Sequence, residues 1–340
     1  MLMDKFYVTD CEGPLSINDN AYEISDYFIP EGGTFFSILS NYDDMLVECN
    51  KEGYLAGSTL KLILPFFKAY GLTEKDLIEF SEDNIFMIDG AFSMIKHVME
   101  IMPCYIVSTS YNQYIKALSD KTGFIYENTY STQLELDKYD LTTEEQDTLL
   151  DIHDNILFDS SFENIDKIFN EVISKMEINR LIESVKPVGG IGKRDAILDI
   201  IEKNKYKPEN LMYSGDSITD KEALTYAKEN GGLSISFNGN IHSINSASIS
   251  IASDNNLILA IIAEIFNNKG TQGVYDFIKE YNDDPLESIL RLSTNNQITQ
   301  NILLSKPSID VITEENKKNL NDKVKITREK VRGKNIGNLG

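Results

Sequence analysis

A doubly wound α/β fold on a parallel sheet is what this sequence predicts, and three observations predict it. Short apolar, β-branched runs alternate with stretches of helical periodicity. Two of those runs lead directly into carboxylate-bearing turn loops, Tyr7-Val8-Thr9-Asp10-Cys11-Glu12-Gly13 and Gly215-Asp216-Ser217-Ile218-Thr219-Asp220. Two long, mostly helical stretches interrupt the alternation and read as insertions into it.

Taken along the chain, the strand signals are Phe6 to Thr9, Cys104 to Val107, a weaker one at Gly123 to Tyr126, then Leu211 to Ser214, Leu233 to Phe237 and Ser248 to Ala252. Helical patterns fall between most of them, at Ala91 to Ile101, Asn112 to Thr122, Arg194 to Asn204, Lys221 to Asn230 and Leu257 to Asn267. Gly231-Gly232 is a helix stop. The first insertion follows the first strand. In it Phe36, Leu39 and Met45 share one candidate helix, and Leu60, Leu62, Ile63, Leu64, Phe66 and Phe67 form a dense apolar segment around Pro65. In the second, Ile165, Ile168, Phe169, Val172, Ile173 and Met176 recur at helical spacing, a stripe that has to bury against something. Beyond Gly273 the chain reads as trailing helices packed on the outside. It ends in a basic, glycine-punctuated tail expected to be a frayed end or a docking segment.

If the two carboxylate loops leave neighbouring parallel strands, Asp10, Asp216 and Asp220 point into the crevice where open α/β sheets bind ligands. Clustered carboxylates repel one another unless a hard cation sits among them, and Mg2+ with a phosphate suits such a set. Two further parts follow in order. Ser108 ends Tyr105-Ile106-Val107-Ser108, where a hydroxyl and backbone N–H groups can bind phosphoryl oxygens. Lys193 opens a helix after Gly189-Gly190-Ile191-Gly192, placed to neutralise charge on those oxygens. Thr109 takes the place of Ser108 if the strand runs one residue further.

These four parts resemble the haloacid dehalogenase (HAD) superfamily of aspartate-nucleophile phosphohydrolases, and most closely its phosphoserine-phosphatase-like branch. The resemblance implies a HAD-like core over 1–14, 87–137 and 184–270 with a helical cap over 15–86, and it does not extend to the helical insertion over 138–183 or to the C-terminal helices with the basic tail over 271–340. It makes Asp10 the nucleophile and Glu12 the general acid and base. Ser108 or Thr109 and Lys193 become the phosphate ligands. Asp10, Glu12 through its carbonyl, Asp216 and Asp220 become the Mg2+ site, with Asp220 holding a metal-bound water or Lys193. Most superfamily phosphatases carry aspartate where this chain has Glu12. Glutamate does the same proton chemistry, with an unperturbed pKa of about 4.3. Its carboxyl lies roughly 1 Å further out, and a misplacement of that order can cost about 100-fold in rate.

The longer phrases Asp10 to Asn20 and Ser108-Thr109-Ser110-Tyr111 look like the archaeal, methanogen HAD-like proteins named energy-converting hydrogenase A subunit R. That resemblance implies a link to subunits of a membrane hydrogenase complex. The function expected is Mg2+-dependent hydrolysis of a small phosphorylated metabolite. A regulatory or assembly subunit of such a complex, or a phosphotransferase with the same site, are the alternatives.

Composition excludes other classes. The chain carries 54 acidic against 32 basic residues, a net charge of −22, which argues against nucleic acid or an anionic membrane as partner. Its apolar runs stop near ten residues, too short for a membrane span, and no charged segment followed by an apolar run precedes Asp10. Three cysteines without a CxxC pair fit a reducing, cytoplasmic setting with neither disulfide nor zinc site.

Overall fold

The computed structural model describes residues 4–49, 51, 54–292 and 296–337. Met1 to Met3 and the last three residues of the tail lie outside them. Among the described residues seven strands form one sheet: β1 (Phe6–Thr9), β2 (Cys104–Tyr111), β3 (Thr129–Thr132), β4 (Leu211–Gly215), β5 (Leu233–Phe237), β6 (Ile249–Ala252) and β7 (Ser308–Val311). Their order is β3-β2-β1-β4-β5-β6-β7. All neighbouring pairs are parallel except β6 with β7. From β1 the chain steps outward to β2 and β3, then returns to lay β4 on the other side of β1, with Thr9 opposite Ser214. That reversal opens a crevice at the carboxyl ends of β1 and β4.

The strands read as unbroken apolar runs because both sheet faces are covered. Phe6 and Val8 pack on one side with Val107, Tyr213 and Ile197; Tyr7 packs on the other with Ile106, Met212 and Ile235.

Among the described residues five helices follow β1: α1 (Asn20–Phe28), α2 (Gly32–Glu48), α3 (Thr59–Leu62), α4 (Leu64–Ala69) and α5 (Glu74–Asp83). The sheet's own crossovers begin with α6 (Ala91–Ile101) and α7 (Asn112–Thr122). The second insertion contributes α8 (Thr143–Phe158), α9 (Phe162–Lys167) and α10 (Asn179–Ser184). The apolar segment around Pro65 is buried, with the proline in the first turn of α4, where its missing N–H has no intrahelical partner to lose. Both insertions share one apolar core, in which Phe35, Phe66 and Phe67 meet Leu149, Ile165, Phe169 and Leu181. That is the surface the second insertion's stripe required. The stripe is not one regular helix: α9 ends at Lys167, a π-helical turn covers Ile168–Val172, and a 3-10 turn covers Ile173–Lys175. Accordingly Val172 faces outward while its neighbours bury, and on α2 Met45 faces solvent although Phe36 and Leu39 do not.

The remaining helices are α11 (Ile191–Asn204), α12 (Lys221–Glu229), α13 (Ile241–Ser246), α14 (Ile258–Asp283), α15 (Pro285–Leu292), α16 (Asn296–Ser305) and α17 (Lys317–Gly337). Among the described residues no helix is long and apolar enough to cross a membrane.

Three expectations need correction. No strand covers Gly123 to Tyr126. Gly123 is the left-handed cap of α7, and the third strand starts at Thr129. Phe124 mimics a strand residue because it tucks into the core from the connection. Beyond Gly273 the chain is not only helical. It returns as β7, antiparallel on β6, with Ile309 buried against Ile251. The basic tail is not frayed: it forms α17. There Leu320, Val324 and Arg328 recur every fourth residue and are all buried, the first two against Ile244 and Ala252. Arg332 continues that stripe.

Candidate active site

Asp10 leaves the end of β1, anchored by its own N–H donating to the Ser214 carbonyl at 2.9 Å. The residue is 5% exposed. Oδ1 accepts the Cys11 N–H at 2.7 Å and Oδ2 accepts the Lys193 ammonium at 2.6 Å. Burial raises the Asp10 carboxyl to about 7 against the pull of Lys193, with Asp220 and Asp216 adding to the rise.

Lys193 arrives from the first turn of α11, completely buried. Gly189 admits the preceding loop: a Cβ there would lie 2.1 Å from the Ala56 carbonyl oxygen of the cap. Lys193 bridges Asp10 and Asp220, reaching the latter at 2.7 Å. Burial works against its charge, but the two carboxylates outweigh it and hold its pKa above the ordinary lysine value. Asp220 sits in a 3-10 turn after β4, and both its oxygens are engaged. Oδ1 accepts Lys193 and the Tyr213 hydroxyl at 2.6 Å; Oδ2 accepts the N–H groups of Asp216 at 3.0 Å and Ser217 at 3.1 Å. These bonds, Lys193 foremost, keep it below the usual carboxylate range despite burial.

Asp216 is held from elsewhere. Arg328 and Arg332, one turn apart on α17, both donate to its Oδ2, Arg332 at 3.0 Å. Arg328 also donates to the carbonyls of Asp216, Asn238 and Gly337, and Arg332 to those of Ile17 and Asn18. Gly13 presses on the same carboxylate: it takes φ +100°, and a Cβ would lie 2.3 Å from Asp216 Cγ.

Glu12 turns toward the cap, its Oε1 accepting the Asn20 N–H at 2.7 Å. Burial first, then the nearby Asp19, pushes it well above the usual carboxylate range. Ser108 and Thr109 separate. Ser108 is buried, and its hydroxyl is tied to Ser110, donating to Oγ at 3.1 Å and accepting the N–H at 3.2 Å. Thr109 and Ser110 line the open cavity instead, because β2 runs on to Tyr111, and the Thr109 hydroxyl is buried with no partner.

The cavity holds about 100 Å³ and is lined by Asp10, Glu12, Thr109, Ser110, Asp216, Arg328 and Arg332 at its sheet end, and by α2 and α3 residues at its cap end. Asp10, Asp216 and Asp220 can bring one carboxylate oxygen each to within 4.8 Å of one another. Mg2+ takes oxygen ligands at about 2.0–2.1 Å, so a set gathered this closely fits it.

Arg328 and Arg332 were invisible to motif reading. The signal available was Leu320 and Val324 followed by two arginines at the same four-residue spacing. Arg194, beside Lys193, pairs with Asp195 at 2.8 Å on the surface, and Asn238 forms a left-handed turn with φ 48°.

No protein-family profile matches the chain, and neither does any curated protein. Among solved structures, the chain is similar to gene product AF1437 from Archaeoglobus fulgidus, with 26% identity, a TM-score of 0.84 and 99% of each chain covered. That coverage takes in the C-terminal helix. Lower-scoring matches include a substrate-bound phosphoserine phosphatase (13% identity, TM-score 0.45, 73% of this chain and 92% of that one). Another is a HAD family hydrolase from Salmonella enterica serovar Typhi (12%, 0.42, 68% and 61%).

Proposed function

We propose that this chain is a HAD-type, Mg2+-dependent phosphohydrolase that cleaves a small phosphomonoester through an aspartyl-phosphate on Asp10. The observation that carries the reading is the fully buried Lys193, bridging Asp10 and Asp220 at the β1/β4 reversal beneath the cavity. Nothing in the fold's stability requires a lysine buried between two carboxylates, since apolar residues of similar volume do as well or better there.

Asp10 attacks phosphorus in line with the ester oxygen. The P–O bond to the leaving group breaks, and an acyl phosphate forms on the carboxylate. Glu12, in the cavity wall two residues on, gives its proton to the departing alkoxide. It then takes one from water, which attacks the acyl phosphate and releases inorganic phosphate with Asp10 restored. Lys193 and the Thr109 and Ser110 hydroxyls face the equatorial oxygens, where phosphoryl transfer is chiefly stabilised. Asp220, with both oxygens engaged, serves as the anchor of Lys193. Mg2+, held by Asp10, the Glu12 carbonyl and Asp216, would supply charge neutralisation at the phosphoryl group.

The regulatory or assembly reading rests on the hydrogenase-subunit resemblance, the unmatched insertions and the basic tail; of these three supports, the tail packs Arg328 and Arg332 onto Asp216. The test is phosphate release from p-nitrophenyl phosphate and a panel of phosphomonoesters, with and without Mg2+. Turnover that needs Mg2+ and disappears in Asp10→Asn is expected. No turnover across a broad panel by protein that binds Mg2+ would falsify the hydrolase reading.

A further inference from the structure

Asp216 meets more positive charge than holding it in place requires. Arg328, 3% exposed, already donates to both its Oδ2 and its backbone carbonyl. Arg332 adds a second guanidinium at the same Oδ2, with its side chain only 6% exposed. Burying a second cation is costly, and a share of one carboxylate oxygen offsets little of that cost. Burial works against the Arg332 charge, but Asp216, Asp19, Glu12 and Asp10 outweigh it and keep its pKa above the ordinary arginine value. All four acids line the cavity, and so does Arg332.

Of the five N–H groups on a guanidinium, three on Arg332 are engaged among the described residues. Nε donates to the Ile17 carbonyl at 3.1 Å, Nη1 to Asp216 Oδ2 at 3.0 Å and Nη2 to the Asn18 carbonyl at 2.5 Å. One N–H on each Nη is left over, and the three bonds fix the plane in which both lie. The helix also breaks at Gly333, with φ 76°, directly after Arg332, so its last regular turn ends at the cavity wall. An Asp216 carboxylate oxygen lies within 4.8 Å of one on Asp10. A phosphoryl group approaching Asp10 therefore comes close to the guanidinium that sits on Asp216.

We propose that Arg332 is a further catalytic residue, whose two remaining N–H groups donate to equatorial oxygens of the phosphoryl group during its transfer to Asp10. This rests on the phosphohydrolase reading. Arg332 gives up no proton. The bond that forms is still Asp10 oxygen to phosphorus, and the bond that breaks is phosphorus to the ester oxygen. The charge on the equatorial oxygens meets a second fixed cation beside Lys193. The last helix thus supplies in cis an arginine of the kind that speeds phosphoryl transfer by about 10³- to 10⁵-fold.

The experiment reads turnover and binding separately. In Arg332→Gln, kcat at saturating Mg2+ is expected to fall at least about 100-fold, less than the full range because Lys193 still acts on the same oxygens. Mg2+ affinity by calorimetry should stay within about threefold of the wild type, because Arg328 still holds Asp216. Orthovanadate, which imitates five-coordinate phosphorus, should bind the Mg2+-loaded variant more weakly by a factor close to the loss in kcat. A residue that acts only through Asp216 does not split these quantities. A kcat loss that follows Mg2+ affinity, or unchanged vanadate binding, overturns the proposal. Faster turnover in the variant also overturns it, since Arg332 is then an obstruction. Thermal unfolding checks the fold. If Arg332→Gln does not fold, Arg332→Lys keeps the charge without the planar fork, and about a tenfold loss in both kcat and vanadate affinity is expected. Unchanged values there overturn the proposal.

The two readings fail separately. No ester turned over by the wild type, with vanadate binding still lost in Arg332→Gln, removes the hydrolase and keeps the anion contact. Full turnover in Arg332→Gln removes the role of Arg332 and keeps the hydrolase. Vanadate bound by neither protein removes the contact.

Discussion

Two ion clusters meet in the crevice and differ in where their cations originate. Asp10–Lys193–Asp220 has two acids around one base, the acids just beyond β1 and β4 and the base in the first turn of α11. Asp216–Arg328–Arg332 has one acid under two bases, and both bases come from the last helix, more than a hundred residues further on. In the first, the cation is the bridge, so losing it leaves two buried charges facing each other. In the second, the cations are redundant at one oxygen, and each is also tied to backbone carbonyls, so the pair works as a clamp. One cluster belongs to the proposed chemistry; the other fixes the orientation of a proposed metal-binding carboxylate.

The largest effect separating them is expected from Lys193→Met. Leaving Asp10 and Asp220 buried and unpaired should cost about 3–5 kcal/mol in urea unfolding. Phosphate release should fall at least about 10³-fold, because the charge at the phosphoryl oxygens is gone. Retained stability would mean that the bridge is not what holds the two aspartates together. Arg328→Met should cost less, about 2 kcal/mol, since Arg332 still holds Asp216. Combined with Arg332→Met, the two losses should depart from additivity by more than about 0.5 kcal/mol, and additive losses would show two independent contacts rather than a clamp. The double variant should also weaken Mg2+ binding by about 10- to 100-fold in calorimetry, as removing a partner of a ligating carboxylate does.

Gly13→Ala sharpens the contrast from the opposite side. The substitution strains a residue at φ +100° and drives a methyl group into Asp216, at an expected cost of about 1–2 kcal/mol. Mg2+ affinity should fall with it while the Lys193 bridge stays intact.

The smallest effect lies outside both clusters, at Asp44. Its folded pKa is raised to about 7, while the unfolded value is about 3.9. The folded state therefore binds this proton more tightly, and the stability it contributes is present below about pH 4 and lost as pH rises towards about 7. Asp44→Asn should match the wild type near pH 4 and exceed it by about 1 kcal/mol at pH 8, after allowance for solvent screening. A difference that does not grow with pH would show Asp44 to be solvated and ordinary.

How far the molecule was legible depended on how local each signal is. Helices Ala91–Ile101 and Asn112–Thr122 follow from periodicity alone, because their apolar faces and stop signals lie inside their own segments. β1 and β4 were readable because strands buried on both faces must be continuously apolar. β3 was misplaced and β7 missed, since each is a short edge strand whose identity comes from the neighbour it pairs with. Ser108 was read ahead of Thr109, and the strand's end sets the difference, because one residue of register decides which hydroxyl faces the cavity.

The sequence by itself determined the alternating α/β order and the four short segments that carry Asp10, Ser108-Thr109, Lys193 and Asp216-Asp220, because each signal lies within a few residues along the chain. Only the tertiary structure decided that the two insertions share a core, that Asp43 of α2 lines the same cavity as Asp10, and that Arg328 and Arg332 close on Asp216. Those contacts join segments far apart in the chain. No local pattern encodes them, because their energies come from burial and ion pairing that exist only once the sheet has brought the segments together.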